Sequence, residues 1–290
     1  MLPNRKKQWV EALMTKRHAI AGALGVPLGE MLGCGHWGCV FESVSPWVVK
    51  FSIDPTEGPI WSKIGGIMAD EDYGADGFVE LKSITRLTPD LRVGGKNRKV
   101  WAIVREAVEP VFREYSQKEL GKRGHGTTLL TSGFKTKLLE LPAPEAPFNL
   151  RRGTDRQKDF SDGLDGLFDY RELATLWHLF GKSRLGSVER SRLGAMRSRY
   201  GMDSQDDVEE AIDRVLGHLH GPLMGPLGES LGMLASNRIF LRDVHNMNIG
   251  WHLPRSDDDW AKVVVFDPGH TPTDKMEIET VLLENPRAAL

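Results

Sequence analysis

The chain has 290 residues, a formal net charge of −2, and 40% hydrophobic and 27% charged residues. That supplies the apolar mass for a large buried core and gives no global electrostatic argument for a nucleic-acid or membrane partner. Its two cysteines, Cys34 and Cys39, make neither a disulfide framework nor a Cys/His ligand set, which points to a reducing, intracellular setting. The basic start Asn4-Arg5-Lys6-Lys7 has no adequate apolar run behind it. The run 19–29 falls short of the roughly 20 residues a spanning helix requires, so a soluble, cytoplasmic protein is expected.

Residues 4–24 carry Trp9, Leu13, Ile20 and Leu24 near one helical face, and Gly25, Val26 and Pro27 break the pattern. This predicts an amphipathic helix that packs on the domain following it. Gly33, Gly35 and Gly38 then stand at G-x-G-x-x-G spacing before the β-type run Cys39-Val40-Phe41, and Ser45-Pro46 turns the chain into Trp47-Val48-Val49-Lys50-Phe51. The dinucleotide-binding fingerprint has the same glycines opening a helix, whereas these lie inside a hairpin. Glycines at a hairpin tip let backbone N–H groups approach phosphates without interference from a Cβ. Lys50, alternating out of an apolar strand, needs an anionic partner or water.

A helix can start at 55–64 with Glu57 in its first turn, where an acid also favours the helix dipole; Glu80 is the other carboxylate able to serve Lys50. Strands are expected at 77–87 and 99–111, joined by a turn over 89–96 with Gly94-Gly95. Residues 111–205 are less regular. The stretch 116–137 is polar, 141–147 is a Pro-rich linker, and 151–158 and 184–199 are basic runs that read as solvated faces, with acidic or phosphorylated acceptor binding as the alternative. Leu173, Leu176, Trp177 and Phe180 have helical spacing over 169–181. A further helix follows Asp206-Asp207, with Val208, Ile212, Val215, Leu216 and Leu219 on its apolar face; Gly221-Pro222 breaks it and 227–235 resumes it. His218 and His220 would project from different helix faces, which argues against a metal pair.

The segment 239–269 carries the chemistry. Asp243 is followed at D-x-x-x-x-N spacing by Asn248, and a hairpin formed by 249–253 and 262–266 leads to Asp267-Pro268-Gly269. The acidic tip Asp257-Asp258-Asp259 reads as a solvated turn. ATP-dependent phosphoryl transfer needs one carboxylate at the acceptor hydroxyl, and an amide and a second carboxylate to hold Mg²⁺ against the phosphates. Asn248 and Asp267 leave opposite strand ends of one hairpin, so they can converge.

Taken in order, the glycine hairpin, the strand lysine, D-x-x-x-x-N and D-x-G resemble the protein-kinase-like superfamily over most of the chain. The resemblance implies an α+β, two-lobed protein-kinase-like fold, with an antiparallel β N-lobe at 29–110 after a helical extension at 1–28. A mostly helical, atypical C-lobe would follow at 111–290. It implies ATP and Mg²⁺ as cofactors, with Gly33, Gly35, Gly38 and Val40 over the nucleotide and Lys50 on its α/β phosphates, held by Glu57. Glu106 and Val108 match the adenine-binding hinge, Asp243 the catalytic aspartate, and Asn248 and Asp267 the metal ligands. The chain departs from eukaryotic-type protein kinases at Leu241, where His is usual, and at Pro268, where Phe is usual. His245 stands where Ser/Thr kinases carry a catalytic-loop lysine, and D-x-H-x-x-N is similar to aminoglycoside phosphotransferases. No A-P-E segment follows Gly269, so the helical lobe is expected mostly from 111–236. The expected activity is transfer of the ATP γ-phosphate to a protein Ser/Thr hydroxyl, with a small-molecule acceptor of the aminoglycoside or choline type as the alternative. A non-catalytic nucleotide-binding scaffold is the competing class, and a dinucleotide oxidoreductase stands further off.

Overall fold

The strand Trp47–Ser52 explains the first layer of architecture. Side chains alternate across a strand, yet Val48 through Ser52 are all buried, so this strand must be covered on both faces. A computed structural model describes residues 4–35, 37–70, 76–93, 96–115, 127–131, 154–245, 248–252, 262–269 and 280–282. Within them the protein is α+β, with a largely antiparallel sheet in the amino-terminal part and helices in the carboxy-terminal part. Two compact units are distinguished. One draws on residues 1–74, 80–107 and 270–290, and the other on 75–79 and 108–269.

The first unit holds β1 (Met31–Cys34), β2 (Gly38–Glu42), β3 (Trp47–Ser52), β4 (Leu81–Val93), β5 (Lys96–Glu106) and β11 (Thr280–Leu282), in the order β1-β2-β3-β5-β4-β11. All neighbours are antiparallel except β11, which runs parallel to β4. One sheet face carries Phe41, Val49, Phe51, Leu87, Val100, Ala102 and Val104. It packs with Leu13 of α1 (Asn4–Thr15) and Ile20 of α2 (Arg17–Leu24). The single helix expected over 4–24 is therefore two. The Thr15 hydroxyl turns back to the Glu11 carbonyl at 2.8 Å, and Arg17 reaches the Leu28 carbonyl at 2.9 Å; Gly25, with φ +63°, ends the second helix.

Two further expectations are corrected here. The strand expected at 77–87 starts later and runs on to Val93, so Pro89 lies within it instead of opening a turn. The β4–β5 register is irregular between Leu87 and Leu91, where a residue without an N–H is tolerated; Gly94 and Gly95 lie outside the described residues. Cys34 and Cys39, from which a reducing setting was inferred, are joined by a disulfide. The β1–β2 register sets them directly opposite one another, with Cα atoms 4.1 Å apart, which the spacing of a short hairpin dictates.

In the second unit, β9 (Ile249–His252) pairs with β10 (Lys262–Val265) and with β6 (Glu109–Pro110), while β7 (Phe112–Tyr115) pairs with β8 (Thr127–Leu130). Among the described residues, four helices lie between β8 and β9 in the chain, α4 (Thr154–Phe180), α5 (Ser187–Tyr200), α6 (Gln205–Leu216) and α7 (Gly221–Ser236). Helix α4 buries Phe160, Leu167, Tyr170 and Ala174 at helical spacing. It comes so near α7 that a Cβ on Gly163 would lie 2.7 Å from Met224 Cγ. Helix α6 starts on a reciprocal cap: the Ser204 hydroxyl accepts the Asp207 N–H at 3.1 Å, and the Asp207 carboxylate accepts the Ser204 N–H at 2.9 Å. Gly217 ends it, so His218 and His220 lie in a connection and not on a helix as expected; His220 Nδ1 donates to the His218 carbonyl at 2.7 Å. Gly221-Pro222, read as a break, instead starts α7, because a proline's fixed φ suits the first helical turn. The acidic tip 257–259, the linker 141–147 and the polar stretch 116–126 and 132–137 lie outside the described residues.

The Phe41 and Phe51 rings meet edge-on at 5.6 Å between centroids, and Phe51 is fully buried. Phe51→Ala is expected to cost about 3–5 kcal/mol of stability, read as a lower urea midpoint with an unchanged slope.

Candidate functional site

In the first unit the site begins with a turn. The Asp54 N–H donates to the Ser52 hydroxyl at 3.1 Å, and Asp54 Oδ1 accepts the Thr56 N–H at 2.9 Å and its hydroxyl at 2.8 Å. These bonds satisfy donors at the start of α3 (Glu57–Asp70) and fix where that helix begins. Gly58 then rests on the Trp101 ring, where a Cβ would fall 2.3 Å from Cδ2. Glycine is required there by contact with a buried indole. Glu57 is thereby held over β3, and its carboxylate meets Lys50 Nζ at 2.5 Å. Both residues are buried, Lys50 at 8% and Glu57 at 2% exposure. Glu80, the other carboxylate considered, is joined to the end of β5 through its backbone, its carbonyl accepting the Glu106 N–H at 2.9 Å.

Lys50 faces Val40 on β2 and Ile103 on β5, and directly opposed residues project from the same sheet face. The row Val40, Lys50, Ile103 thus forms a strip of one cation among apolar side chains. In the glycine hairpin, Gly35 donates its N–H to the Gly38 carbonyl at 2.8 Å. A Cβ at Gly38 would strike the Phe51 carbonyl oxygen at 2.3 Å, so packing alone demands that glycine. Gly33 has nothing within 4 Å of its Cβ position, and Gly35 has only the Gly38 carbonyl at 3.9 Å; neither is required by crowding. His36 lies outside the described residues. Glu106 is buried and ends β5.

In the second unit Val108 packs onto β9, its Cγ2 2.5 Å from where a Cβ of Gly250 would lie. The β9–β10 ladder pairs Ile249 with Val265, and the Phe266 N–H donates to the Asn248 carbonyl at 3.0 Å. The ladder's end therefore sets Asn248 beside the residue that precedes Asp267. Asn248 Nδ2 donates to the Asp243 carbonyl at 2.7 Å, which ties the two ends of the loop and turns the amide oxygen the other way. Asp267 Oδ1 accepts the Gly269 N–H at 3.2 Å. Gly269 has φ +63°, and a Cβ on it would lie 2.1 Å from Asp243 Cβ. Backbone conformation and contact both exclude any other residue there. Asp243, Asn248 and Asp267 are thus collected by one loop and one strand end. His245 joins them, with Nε2 3.4 Å from Asp243 Oδ1. Asn246 and Met247 lie outside the described residues.

Two residues that hold this loop escaped the sequence reading. Tyr170 and His178, eight apart on α4, grip the backbone just before Arg242-Asp243. The Leu241 N–H donates to the Tyr170 hydroxyl at 3.0 Å, and His178 Nε2 donates to the Phe240 carbonyl at 2.8 Å. Burial pushes the Tyr170 phenol well above its ordinary range, so it stays neutral, although the Leu241 bond opposes the shift. Burial likewise holds His178 below its ordinary 6.5, with the Phe240 bond opposing and the Arg242 and Lys182 cations adding to the fall. Arg242 is itself lowered by burial, with Asp243 opposing. The i, i+8 pairing of a tyrosine and a histidine on one helix face was visible in the sequence; what they bond was not.

Among the described residues, no group of three or more His, Cys, Asp or Glu side chains could hold a metal ion by itself. Asn248 and Asp267 do offer hard oxygen donors, which suit Mg²⁺ when ligand phosphates complete its shell. No protein-family model and no curated protein matches the chain. No helix among the described residues is long and apolar enough to cross a membrane.

Two outcomes follow. Glu57→Ala leaves Lys50 buried without its carboxylate and is expected to cost about 3–5 kcal/mol, while Lys50→Met/Glu57→Leu recovers most of that loss; urea denaturation of the single and double variants checks it. Folded His178 resists protonation, so below its ordinary pKa the unfolded chain binds the additional proton, and the contribution of His178 to stability, present at neutral pH, is lost as pH falls. The stability advantage of wild type over His178→Gln should therefore shrink between pH 7.5 and 5.5.

Proposed function

We propose that the protein is an ATP- and Mg²⁺-dependent phosphotransferase of the two-lobed, protein-kinase-like kind that moves the γ-phosphate to a hydroxyl. The observation that carries this reading is the joining of Asp243, Asn248 and Asp267 through the Asn248–Asp243 bond and the Gly269–Asp243 contact. Structural packing needs no such convergence of two carboxylates and an amide. Phosphoryl transfer does, because catalysis there is mostly positioning and charge neutralisation. Asp243 orients the acceptor hydroxyl and takes its proton as the new P–O bond forms. Asn248 and Asp267 would hold Mg²⁺, which when bound supplies neutralising charge to the phosphate oxygens. Lys50, held by Glu57, would meet the α/β phosphates, and the backbone at Gly33 would approach them, since crowding does not demand that glycine. Val40 supplies apolar surface beside Lys50, and Glu106 and Val108 would serve the adenine.

The full G-x-G-x-x-G-x-V run favours a protein Ser/Thr acceptor. A small-molecule acceptor is the second reading, and it rests on His245. Its imidazole lies 3.4 Å from Asp243 Oδ1, at the position where a Ser/Thr kinase would present a lysine. A non-catalytic scaffold would bind ATP without transfer and would not depend on Asp243.

The test uses Mg²⁺ and γ-labelled ATP, with protein substrates in one arm and small-molecule extract in the other. Wild type is expected to transfer label, with Asp243→Ala and Asp267→Ala both reduced at least about 100-fold. Label on protein selects the first acceptor class, and turnover only with extract selects the second. ATP binding without transfer in either arm would sink the enzymatic reading.

A further inference from the structure

The disulfide between Cys34 and Cys39 is the one covalent feature that the proposed phosphotransfer chemistry leaves unused. It ties the end of β1 to the start of β2, with Gly35 and Gly38 of the glycine hairpin enclosed between its ends. As a structural staple it is poorly placed. It closes a loop only a few residues long, so it removes little entropy from the unfolded chain, and its partners are already joined by the antiparallel ladder.

The two flanks of the hairpin are held very differently. On the β2 side, Cys39 is fully buried among Phe41, Phe51 and their neighbours, and Gly38 lies against the β3 backbone. On the β1 side, Met31, Leu32 and Gly33 are exposed and Cys34 is half-buried. Among the described residues β1 is also an edge strand, with β2 as its one neighbour in the sheet. The disulfide thus fastens a loosely held strand end to a firmly packed one. Both oxidation states suit the fold, since a reduced Cys39 is a small apolar residue in an apolar core, while Cys34, partly buried against the same core and beside the exposed Met31, is the more accessible of the two.

We propose that Cys34–Cys39 is a reversible thiol–disulfide exchange site whose partners are small or protein dithiols and disulfides, and that its state sets the order of the glycine hairpin and through it nucleotide affinity. The second half of that statement rests on the ATP reading. Reduction begins with a reductant thiolate attacking Cys34 Sγ. The intramolecular S–S bond breaks, and Cys39 leaves as a thiolate and takes a proton. The reductant's second sulfur then displaces Cys34 as its own disulfide forms. Two electrons and two protons pass from the dithiol to the pair, and a disulfide oxidant reverses the sequence. The oxidised hairpin presents its N–H groups already ordered, so less entropy is lost on binding phosphate. Reduction frees the β1 end and weakens binding.

The intact chain is equilibrated in buffers of reduced and oxidised dithiothreitol, and the free thiols are counted by alkylation and mass spectrometry. Amide hydrogen exchange of the segment 31–39 is followed alongside. ATP affinity is measured by isothermal titration in fully oxidised and fully reduced samples, with Cys34→Ser/Cys39→Ala as the redox-blind control. The thiol count should move from none to two without unfolding, exchange in 31–39 should rise on reduction, and ATP should bind at least about fivefold more weakly. The control should match the reduced protein in both buffers. A disulfide that yields only on unfolding, or a hairpin whose exchange ignores redox state, overturns the proposal. If exchange responds but ATP binds in neither state, the site stands, its link to nucleotide falls, and the ATP reading falls with it. If ATP binds equally in both states, only the link falls.

Discussion

A lysine and a glutamate cannot both leave water unless each finds the other, and the first unit is arranged around that requirement. Lys50 and Glu57 are separated by a strand end, a turn and the first residue of a helix, so their meeting depends on where the helix begins. Ser52 and Asp54 fix that start through the turn bonds, and Gly58 lets the helix settle onto Trp101. A buried ion pair seldom stabilises a fold more than apolar residues of similar shape would. Retaining one in the middle of a sheet is therefore better explained by what the cation does than by what the pair contributes to folding.

The second unit solves a related problem by other means. Its carboxylates are positioned through the backbone, and the backbone is gripped from α4. Tyr170 accepts a hydrogen bond from an amide N–H and His178 donates one to a carbonyl, both immediately before Arg242-Asp243. Neither partner carries a formal charge at neutral pH, which suits a buried site where an uncompensated ion would be costly. On the other side of the loop, Asn248 closes onto Asp243 and Gly269 bears on its side chain. Asp243 is thus held from both directions, through its backbone carbonyl and against its side chain.

Local chemistry made much of this legible, and long-range contact limited the rest. The hairpin around the glycines, the strand that carries Lys50, the helix starting at Glu57 and the pairing of 249–252 with 262–265 each follow from patterns only a few residues long. The same short-range reasoning could have found the Cys34–Cys39 pair, because a hairpin that turns at 35–38 must set 34 opposite 39; the small number of cysteines drew attention to compartment instead of register. Pro89 misled because a proline more often marks a turn than an irregularity in a strand, and Gly221-Pro222 because a proline that starts a helix and one that stops it look alike in sequence. The roles of Tyr170 and His178 could not be read at all. Their partners lie 71 and 62 residues further along the chain, and nothing in a helical periodicity says which backbone a buried phenol will meet.

The parallel strand β11 has a consequence for the order of events during synthesis. Thr280–Leu282 lies against Arg86–Thr88 on the outer edge of β4, so the amino-terminal sheet is finished by residues that follow the intervening helices in the chain. While the ribosome makes the intervening helices, β4 exposes a row of unpaired N–H and C=O groups, the kind of edge on which chains pair wrongly with one another. The sheet therefore stays open at β4 until a strand that follows those helices in the chain can reach it.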